Sequence, residues 1–303
     1  MRIIKVITII FISFILFLCV FGFIISFLFN NNDNGKNLIA VMYLKGMIVN
    51  EEETEGVIDS KYVVQILDKI RENKSYKGIL LVIDSPGGVA APSLEISYKI
   101  KKISKEKPVV AYIENLGASG AYYIASSSNY IIANPQAIVG SIGVIITIPQ
   151  IYKALDKLGI NMVSIKSGKY KDALSPFKEL NNEQKKYIQD LVVEYYKQFV
   201  KDVSQNRNIA ISELYKIADG RVFSPFTAKN YKLIDDIGTI DDAKEKIKQL
   251  VNIKDVKFKE IKPPKKTFLD QLLGSKLNYS NDFNSYIKKY LNYFNYQLWM
   301  IAQ

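Results

Sequence analysis

The chain has 303 residues and a formal net charge of +11, from 41 Lys and Arg against 30 Asp and Glu. It contains no histidine, which excludes a Ser-His-Asp triad and every metal site that needs an imidazole ligand. Its one cysteine, Cys19, lies in an apolar run, which excludes a disulfide, a thiolate zinc site and a cysteine nucleophile. The lysines are scattered and no nucleic-acid recognition motif is present, so we expect neither a nucleic-acid partner nor a metal or other cofactor.

The first predicted element is an apolar stretch over residues 6–29 that carries no charged side chain. At about 1.5 Å per residue it is longer than a bilayer core of roughly 30 Å, so we expect a signal anchor over residues 1–29. A cleaved signal peptide is the alternative, but the run is too long and no A-x-A-like cleavage site follows. Arg2 and Lys5 precede the run, which puts the N-terminus in the cytoplasm and the catalytic domain outside the cell membrane. Residues 30–37 form a polar linker.

From residue 38 onward, apolar strand-like runs alternate with stretches whose apolar residues have helical spacing. The predicted strands are 38–44, 78–83, 108–114, 130–133, 140–144 and an edge strand at 256–261. The predicted helices are 62–70, 91–103, 121–126, 181–203, 211–218 and 240–251. This alternation indicates an α/β domain with a largely parallel sheet over residues 38–262. Residues 263–303, which begin with two prolines, form a C-terminal tail.

Small residues surround Ser119 at the end of the predicted strand 108–114, in the sequence Gly-Ala-Ser-Gly-Ala at 117–121. A nucleophilic serine at a strand-to-helix turn needs such backbone room and open access for a carbonyl group. The same residues are also typical of an ordinary tight turn, because serine is a favoured N-cap residue. Either way, the turn lies at the carboxyl end of a parallel strand, where active sites of α/β sheets are found.

A second pair of small residues, Gly87 and Gly88, follows the predicted strand 78–83. Glycines expose backbone N–H groups without a side chain in the way, as an oxyanion hole requires. An ordinary loop that needs glycine for a positive φ is the alternative. Because both turns end consecutive parallel strands, we expect them to lie at the same edge of the sheet.

A chain without histidine needs another base for a serine nucleophile, and the precedent is a lysine that burial keeps neutral. Three lysines lie close together after the 140–144 strand: Lys166, Lys169 and Lys171. Most lysines are solvated surface residues, and the residue pattern alone does not choose among these three.

Five motifs in this order resemble the signal peptide peptidase A family, which consists of membrane-anchored serine peptidases with a Ser-Lys dyad. They are Asp-Ser-Pro-Gly-Gly at 84–88, the Ser119 turn at 117–123, Gly-Ser-Ile-Gly-Val at 140–144, the segment 167–177, and Gly-Arg-Val-Phe at 220–223. Together they span most of residues 38–262. The chain departs from the family at Ala121, where a second glycine is more usual, and the extra methyl group narrows the space beside the serine.

The resemblance implies a Clp/crotonase-like α/β spiral in which Ser119 is the nucleophile and Lys171 the general base. The oxyanion hole would use the amide of Gly120 and one of Gly87 or Gly88, and Ser141 is the candidate for orienting the lysine amine. The chain resembles the family's short, single-copy members, which form homo-oligomeric rings whose sites combine the serine and lysine of neighbouring subunits. The family's substrates are remnant signal peptides, so we expect signal peptides and other unfolded apolar peptides as partners.

Three alternatives share parts of this pattern. A peptidase that partners stomatin-like membrane proteins has the same Pro-Gly-Gly and serine turns, although the Ser-Pro-Phe element at 175–177 points away from it. A crotonase-like enzyme of the same superfold would use the paired amides on acyl-CoA thioesters. The third alternative is an inactive membrane scaffold that only binds peptides. Labelling of Ser119 by a fluorophosphonate separates an enzyme from a scaffold.

Overall fold

The computed structural model describes residues 13–22, 37–50 and 56–261. Residues 13–22 are helical (α1) and belong to the predicted anchor, while the rest of the anchor, nearly all of the linker and the C-terminal tail lie outside the described residues. Within the described ranges, no helix is both long and apolar enough to cross a membrane. The signal anchor over residues 1–29 therefore stays a prediction.

The domain is built on a mostly parallel sheet. The strands in the described residues are β1 (Leu38–Lys45), β2 (Met47–Val49), β3 (Val57–Asp59), β4 (Tyr76–Ser85), β5 (Val109–Ala118), β6 (Tyr130–Ala133), β7 (Ile138–Gly140), β8 (Val222–Phe223), β9 (Asp236–Ile237) and β10 (Lys257–Ile261). The sheet has the order β10-β1-β4-β5-β6-β9, with parallel pairing throughout. The predicted α/β class, the parallel sheet and the edge position of the last strand are confirmed.

Helices cover both faces of this sheet. They are α2 (Ser60–Glu72), α3 (Ala90–Ile103), α4 (Gly120–Ser126), α5 (Tyr152–Lys157), α6 (Asn182–Arg207), α7 (Ile211–Tyr215), α8 (Pro225–Asn230) and α9 (Ile240–Val251). Side chains alternate between the two faces of a strand, so Leu81 packs into the core that includes residues of α2, α3, α4 and α6, while Leu80 packs with Ile247 of α9. Burial on both faces explains why the central strands are continuous apolar runs.

The predicted strand at 140–144 is wrong, because β7 ends at Gly140. Gly140, the last residue of β7, has φ +108° and Ser141 has φ 52°, so the chain leaves the regular extended conformation at this point. The chain beyond Ser141 runs without regular structure to α5. β7 itself pairs with the last residues of β5, beyond the part of β5 that β6 covers. The end of β5 therefore has its own neighbour, and Ser119 follows directly.

A substitution at Leu81 tests the described core, because this side chain is fully buried in the central strand β4. We expect Leu81→Ala to lower the free energy of unfolding by about 2–5 kcal/mol, since it removes apolar contacts and leaves a cavity. The matched control is Leu250→Ala on α9, where the side chain is 40% exposed, with an expected loss of at most about 1 kcal/mol. Urea unfolding followed by circular dichroism measures both. Equal losses would contradict this packing.

Candidate active site

Ser119 connects β5 to α4 in a strained backbone conformation, with φ 53° and ψ −125°. A residue with a side chain rarely adopts this region, and such strain persists only where the surrounding contacts fix it. The Ser119 amide donates to the Gly140 carbonyl at 2.8 Å, and its own carbonyl accepts from the Tyr123 amide at 2.9 Å. The backbone on both sides of the serine is therefore held, once by β7 and once by the first turn of α4.

The Ser119 hydroxyl does not act as a helix cap. Its side chain caps no amide of α4, and Oγ has no hydrogen-bond partner among the residues that the structure describes. The side chain is half-buried, between the two glycine-containing turns. The alternative of an ordinary capped turn is therefore wrong, and the hydroxyl is available for chemistry.

The Gly87-Gly88 loop packs directly against the Ser119 turn. A Cβ added at Gly87 would lie 2.6 Å from the Gly120 nitrogen and 2.9 Å from Ser119 Cβ, and Gly87 has φ +92°. A Cβ added at Gly88 would overlap the backbone of Ile48, which pairs with this loop through Ile48 N to Gly87 O and Val89 N to Ile48 O. Only glycine fits at either position, and the two turns meet as the sequence predicted.

The backbone hydrogen bonds distinguish Gly87 from Gly88. The Gly87 amide donates to the buried Ser85 Oγ at 3.1 Å, so it is already used. Within the described ranges, the amides of Gly88 and Gly120 donate to no other group. The Gly88 nitrogen lies 3.5 Å from the position of a Cβ on Gly120, which puts the two unpaired amides side by side. Two neighbouring unpaired N–H groups next to a serine hydroxyl can stabilise an oxyanion.

Ser141 lies at the same site as Ser119. It follows Gly140, whose carbonyl binds the Ser119 amide, and its own amide donates to the Arg221 carbonyl at 2.9 Å. Its hydroxyl makes no hydrogen bond to any other residue in the described part of the chain. The structure therefore brings two unpartnered serine hydroxyls to the carboxyl end of β5 and β7.

The three candidate lysines lie on a loop beside the start of α6. Lys166 binds Asp172 at 2.7 Å, and Lys178 binds the same carboxylate at 2.7 Å. Lys169 binds Glu183 at 2.6 Å. Lys171 lies between these ion pairs in the sequence and is exposed in the single chain.

The charges of this loop are strongly paired. Burial acts to raise the pKa of the Asp172 carboxyl, but hydrogen bonds from Lys166 and Lys178 outweigh it and hold that pKa below its ordinary value. The hydrogen bond to Glu183 raises the pKa of Lys169. Both effects favour the charged forms, namely the Asp172 carboxylate and the Lys169 ammonium group.

Helix α6 separates the lysine loop from the Ser119 turn within one chain. Near the start of α6, Gln184 Nε2 donates to the Lys169 carbonyl at 3.3 Å. In its second half, Asp202 accepts a hydrogen bond from Tyr123 of α4. At 1.5 Å per residue these two attachment points are about 27 Å apart along the helix axis. The four-carbon stem of a lysine does not span such a distance.

The path of the chain agrees with this separation. Gly143 and Val144, just after Ser141, border a groove of about 210 Å³ whose other wall includes Gln189 and Tyr196 of α6. Further on, Ile151 N donates to the Pro176 carbonyl at 2.9 Å, beside the lysine loop. The segment after Ser141 therefore follows α6 back towards its first residues.

Sequence reasoning missed Ser93, which contacts the Ser119 turn from α3. Its Oγ donates to the Val89 carbonyl at 2.9 Å and occupies the space next to Gly120. A small polar residue in the first turn of a helix is too common a feature to have been selected from the sequence. Ala121 is fully buried in the core, so the methyl group that departs from the family pattern is accommodated.

The contact between Gly120 and Ser93 generates a test of this geometry. A Cβ at Gly120 would overlap Ser93 Oγ and lie 2.9 Å from Ser93 Cβ, so we expect Gly120→Ala to lower the free energy of unfolding by about 1–3 kcal/mol. In a Ser93→Gly background both obstructing atoms are gone, and the same change should cost less. Urea unfolding of the four proteins in this double-mutant cycle measures the difference.

Gly168→Ala is the matched control for that cycle, because a Cβ there meets nothing within 4 Å. It should leave stability nearly unchanged. An equal cost of Gly120→Ala in both backgrounds would contradict the described packing of α3 against α4.

Comparisons with known proteins identify relatives of this chain. A protein of Methanocaldococcus jannaschii, provisionally named a protease, is 44% identical over 195 residues, which are 64% of this chain and 63% of that protein. A protein of Enterococcus faecium, provisionally named signal peptide peptidase SppA, is 37% identical over 212 residues, or 70% of this chain and 62% of the relative. The chain thus matches less than two thirds of the length of either relative.

A solved structure shares the fold. It is a mutant of the 1510-N membrane-bound stomatin-specific protease in complex with a substrate peptide, with a TM-score of 0.52 and 18% sequence identity. The match covers 78% of this chain and 96% of that chain. The model of peptidase family S49 matches residues 101–254, a range that includes Ser119, Ser141 and Lys171. The resemblance to signal peptide peptidase A is confirmed at the level of the family, and the chain belongs to peptidase family S49.

Proposed function

We propose that this protein is a membrane-anchored serine endopeptidase in which Ser119 is the nucleophile and Lys171 of a neighbouring subunit is the general base. The observation that carries the proposal is the Ser119 turn. Its strained serine has an unpartnered hydroxyl and lies beside two unpaired amides, those of Gly88 and Gly120. An acyl-transfer reaction needs this combination of a nucleophile and an oxyanion hole.

The reaction then follows from these groups. Ser119 Oγ attacks the carbonyl carbon of a peptide bond while its proton passes to the neutral lysine amine. The amides of Gly88 and Gly120 donate hydrogen bonds to the oxyanion that develops on the carbonyl oxygen. The lysine returns the proton to the leaving amine as the C–N bond breaks, which leaves an acyl-enzyme on Ser119. Water, deprotonated by the same lysine, hydrolyses the ester and frees the serine.

Ion pairs to carboxylates argue against Lys166 and Lys169 as the base. A lysine base acts as the neutral amine, and a carboxylate partner stabilises the charged form instead. Lys166 and Lys169 each bind a carboxylate, at 2.7 Å and 2.6 Å. The family resemblance independently assigns the role to Lys171.

Two features support a base that comes from another subunit. Lys171 is exposed in the single chain, whereas burial is what favours a neutral amine. In addition, the lysine loop contacts α6 at Gln184 and helix α4 contacts it at Asp202, and these two points are about 27 Å apart along the helix. A neighbouring subunit would supply both the burial and the proximity. Its lysine amine would meet the unpartnered hydroxyls of Ser119 and Ser141, and Ser141 would orient it.

Exposed apolar side chains support association into a ring. In the segment between Ser141 and Lys171, Ile145 is 86% exposed, Val163 85% and Ile165 100%. Isolated exposed apolar residues are normal, but several in one segment are typical of an interaction surface. A second copy of the chain is the occupant that also completes the active site, so we propose a homo-oligomeric ring.

The proposed substrates are remnant signal peptides and other unfolded apolar peptides. An extended peptide can pair with backbone groups at a sheet edge, whereas a folded protein cannot reach a serine enclosed by a ring. The predicted anchor over residues 1–29 would hold the ring at the cell membrane, with the N-terminus in the cytoplasm and the catalytic domain outside. Specificity for a stomatin-like membrane protein is the alternative that the solved relative suggests by its name. The Ser-Pro-Phe element at 175–177 favours the signal peptide peptidase assignment.

The first functional prediction concerns the dyad. Ser119→Ala and Lys171→Ala should each reduce kcat/KM on an unfolded peptide by at least about 10³-fold, and the double mutant should be no worse, because the two residues act as one unit. Lys169→Ala is the matched control and should keep most of the activity. A fluorophosphonate should label the wild type at Ser119 and fail on Ser119→Ala. Normal turnover of Lys171→Ala with loss in Lys169→Ala would show that the base is misassigned.

The second functional prediction concerns the shared site. Random mixing of equal amounts of inactive Ser119→Ala and Lys171→Ala subunits should restore about a quarter of the sites. Each head-to-tail interface combines the serine of one subunit with the lysine of its neighbour. A site is intact only when the first subunit is Lys171→Ala and the second is Ser119→Ala. Peptidase activity measured after subunit exchange tests this. Mixing the double mutant with Ser119→Ala is the control and should restore nothing. Mixed rings that stay inactive after verified exchange, or a fully active monomer, would rule out the shared site.

A further inference from the structure

The nucleophile helix α4 is tied to α6 by a buried carboxylate. Asp202 is 5% exposed and accepts hydrogen bonds from three neutral groups: the Tyr123 hydroxyl, the Tyr98 hydroxyl at 3.3 Å and Gln198 Nε2 at 2.9 Å. No lysine or arginine pairs with it in the part of the chain that the structure describes. A buried carboxylate without a cation depends on hydrogen-bond donors, and here all three donors are neutral groups. Asp202 therefore acts through its hydrogen bonds and does not merely fill space in the core.

Tyr123 connects this carboxylate to the nucleophile. Its amide binds the Ser119 carbonyl at 2.9 Å, and its ring stacks on Phe199 of α6 with 4.6 Å between ring centroids. The hydroxyl of the same residue donates a hydrogen bond to the Asp202 carboxylate. One side chain thus links the strained residue to the longest helix of the described domain.

The hydroxyl of Tyr123 remains a donor over the whole working range of pH. Burial raises the pKa of Tyr123, and the hydrogen bond to Asp202 raises it further. The bond between Tyr123 and Asp202 is therefore a permanent connection and not a switch.

We propose that Asp202 is a positioning residue for the reaction, acting through Tyr123 to hold the first turn of α4 in the geometry that presents Ser119 and the Gly120 amide. This inference rests on the proposed function, since it assigns the support of the same nucleophile. The backbone of Ser119 is strained and relaxes unless the turn is held from outside. A small displacement of a nucleophile relative to its oxyanion hole lowers the rate of acylation without abolishing peptide binding.

The opposite end of α4 provides a matched control. Asn206, also on α6, donates to Ser126 Oγ at 3.2 Å and to Ser127 Oγ at 3.0 Å. These bonds hold the C-terminal end of α4, nearly two turns from Ser119. Loss of Asn206 weakens the same interface between helices but leaves the Tyr123 connection in place.

The experiment compares Tyr123→Phe, Asp202→Asn, Asp202→Leu and Asn206→Ala in the full-length oligomer, with the melting temperature of each as a measure of stability. We expect Tyr123→Phe and Asp202→Leu to reduce kcat and the rate of fluorophosphonate acylation by about tenfold, with KM changed by less than about twofold. Asp202→Asn should keep more activity than Asp202→Leu, because an amide oxygen still accepts from Tyr123. Asn206→Ala should keep the wild-type kcat even if its melting temperature falls as far as that of Tyr123→Phe.

Wild-type kcat and acylation in Tyr123→Phe, or an equal loss in Asn206→Ala, would overturn the positioning role. Failure of the proposed function has a different signature, because the wild type itself would then not be acylated at Ser119. Hydrogen exchange decides the inference in that case. Amides at 119–121 should exchange faster in Tyr123→Phe than in Asn206→Ala, and equal exchange in the two variants would overturn it.

Discussion

The described structure depends on one backbone hydrogen bond, from the Ser119 amide to the Gly140 carbonyl at 2.8 Å. It joins the end of β5 to the end of β7 at the point where both strands must stop. Ser119 turns into α4 with φ 53°, and Gly140 and Ser141 turn away with φ 108° and 52°. Gly140 adopts its positive φ without steric cost, whereas Ser119 and Ser141 are strained, and the sheet on one side and α4 on the other hold that strain in place. The active groups are thus a consequence of how two parallel strands end.

Steric exclusion makes the junction specific. Gly87 and Gly88 come from the end of β4 and Gly120 from the start of α4, yet each lies where a Cβ would meet another part of the site. Ile48 of β2 pairs with the glycine loop on its far side and fixes its distance from the serine. The amides of the proposed oxyanion hole are therefore positioned by the absence of side chains, and a single methyl group at any of the three glycines would move them.

The parts of the fold that long apolar runs encode were predictable, and the parts that depend on distant partners were not. β4 and β5 contain apolar runs and α9 has helical spacing, so the sequence predicted each of them, although the predicted strand 108–114 stopped short of the end of β5 at Ala118. β8 and β9 have two residues each and exist only through pairing with remote strands. The choice between Gly87 and Gly88 depends on the Ser85 side chain. Asp202 lies three residues after the buried Phe199, at helical spacing, which is a visible signal, but its partner Tyr123 is far away in the sequence.

Helix α6 supports both halves of the proposed active site. Its second half supports the nucleophile of its own chain through Tyr123, and its first turn supports the lysine loop through Gln184. In a ring with shared sites, the same rigid element would then support the nucleophile of one site and the base of the next. Under that proposal a single chain would hold a prepared serine without its base, because a neighbour would supply the burial that favours a neutral amine. Catalytic competence would follow assembly, and an unassembled subunit would be harmless to the proteins around it.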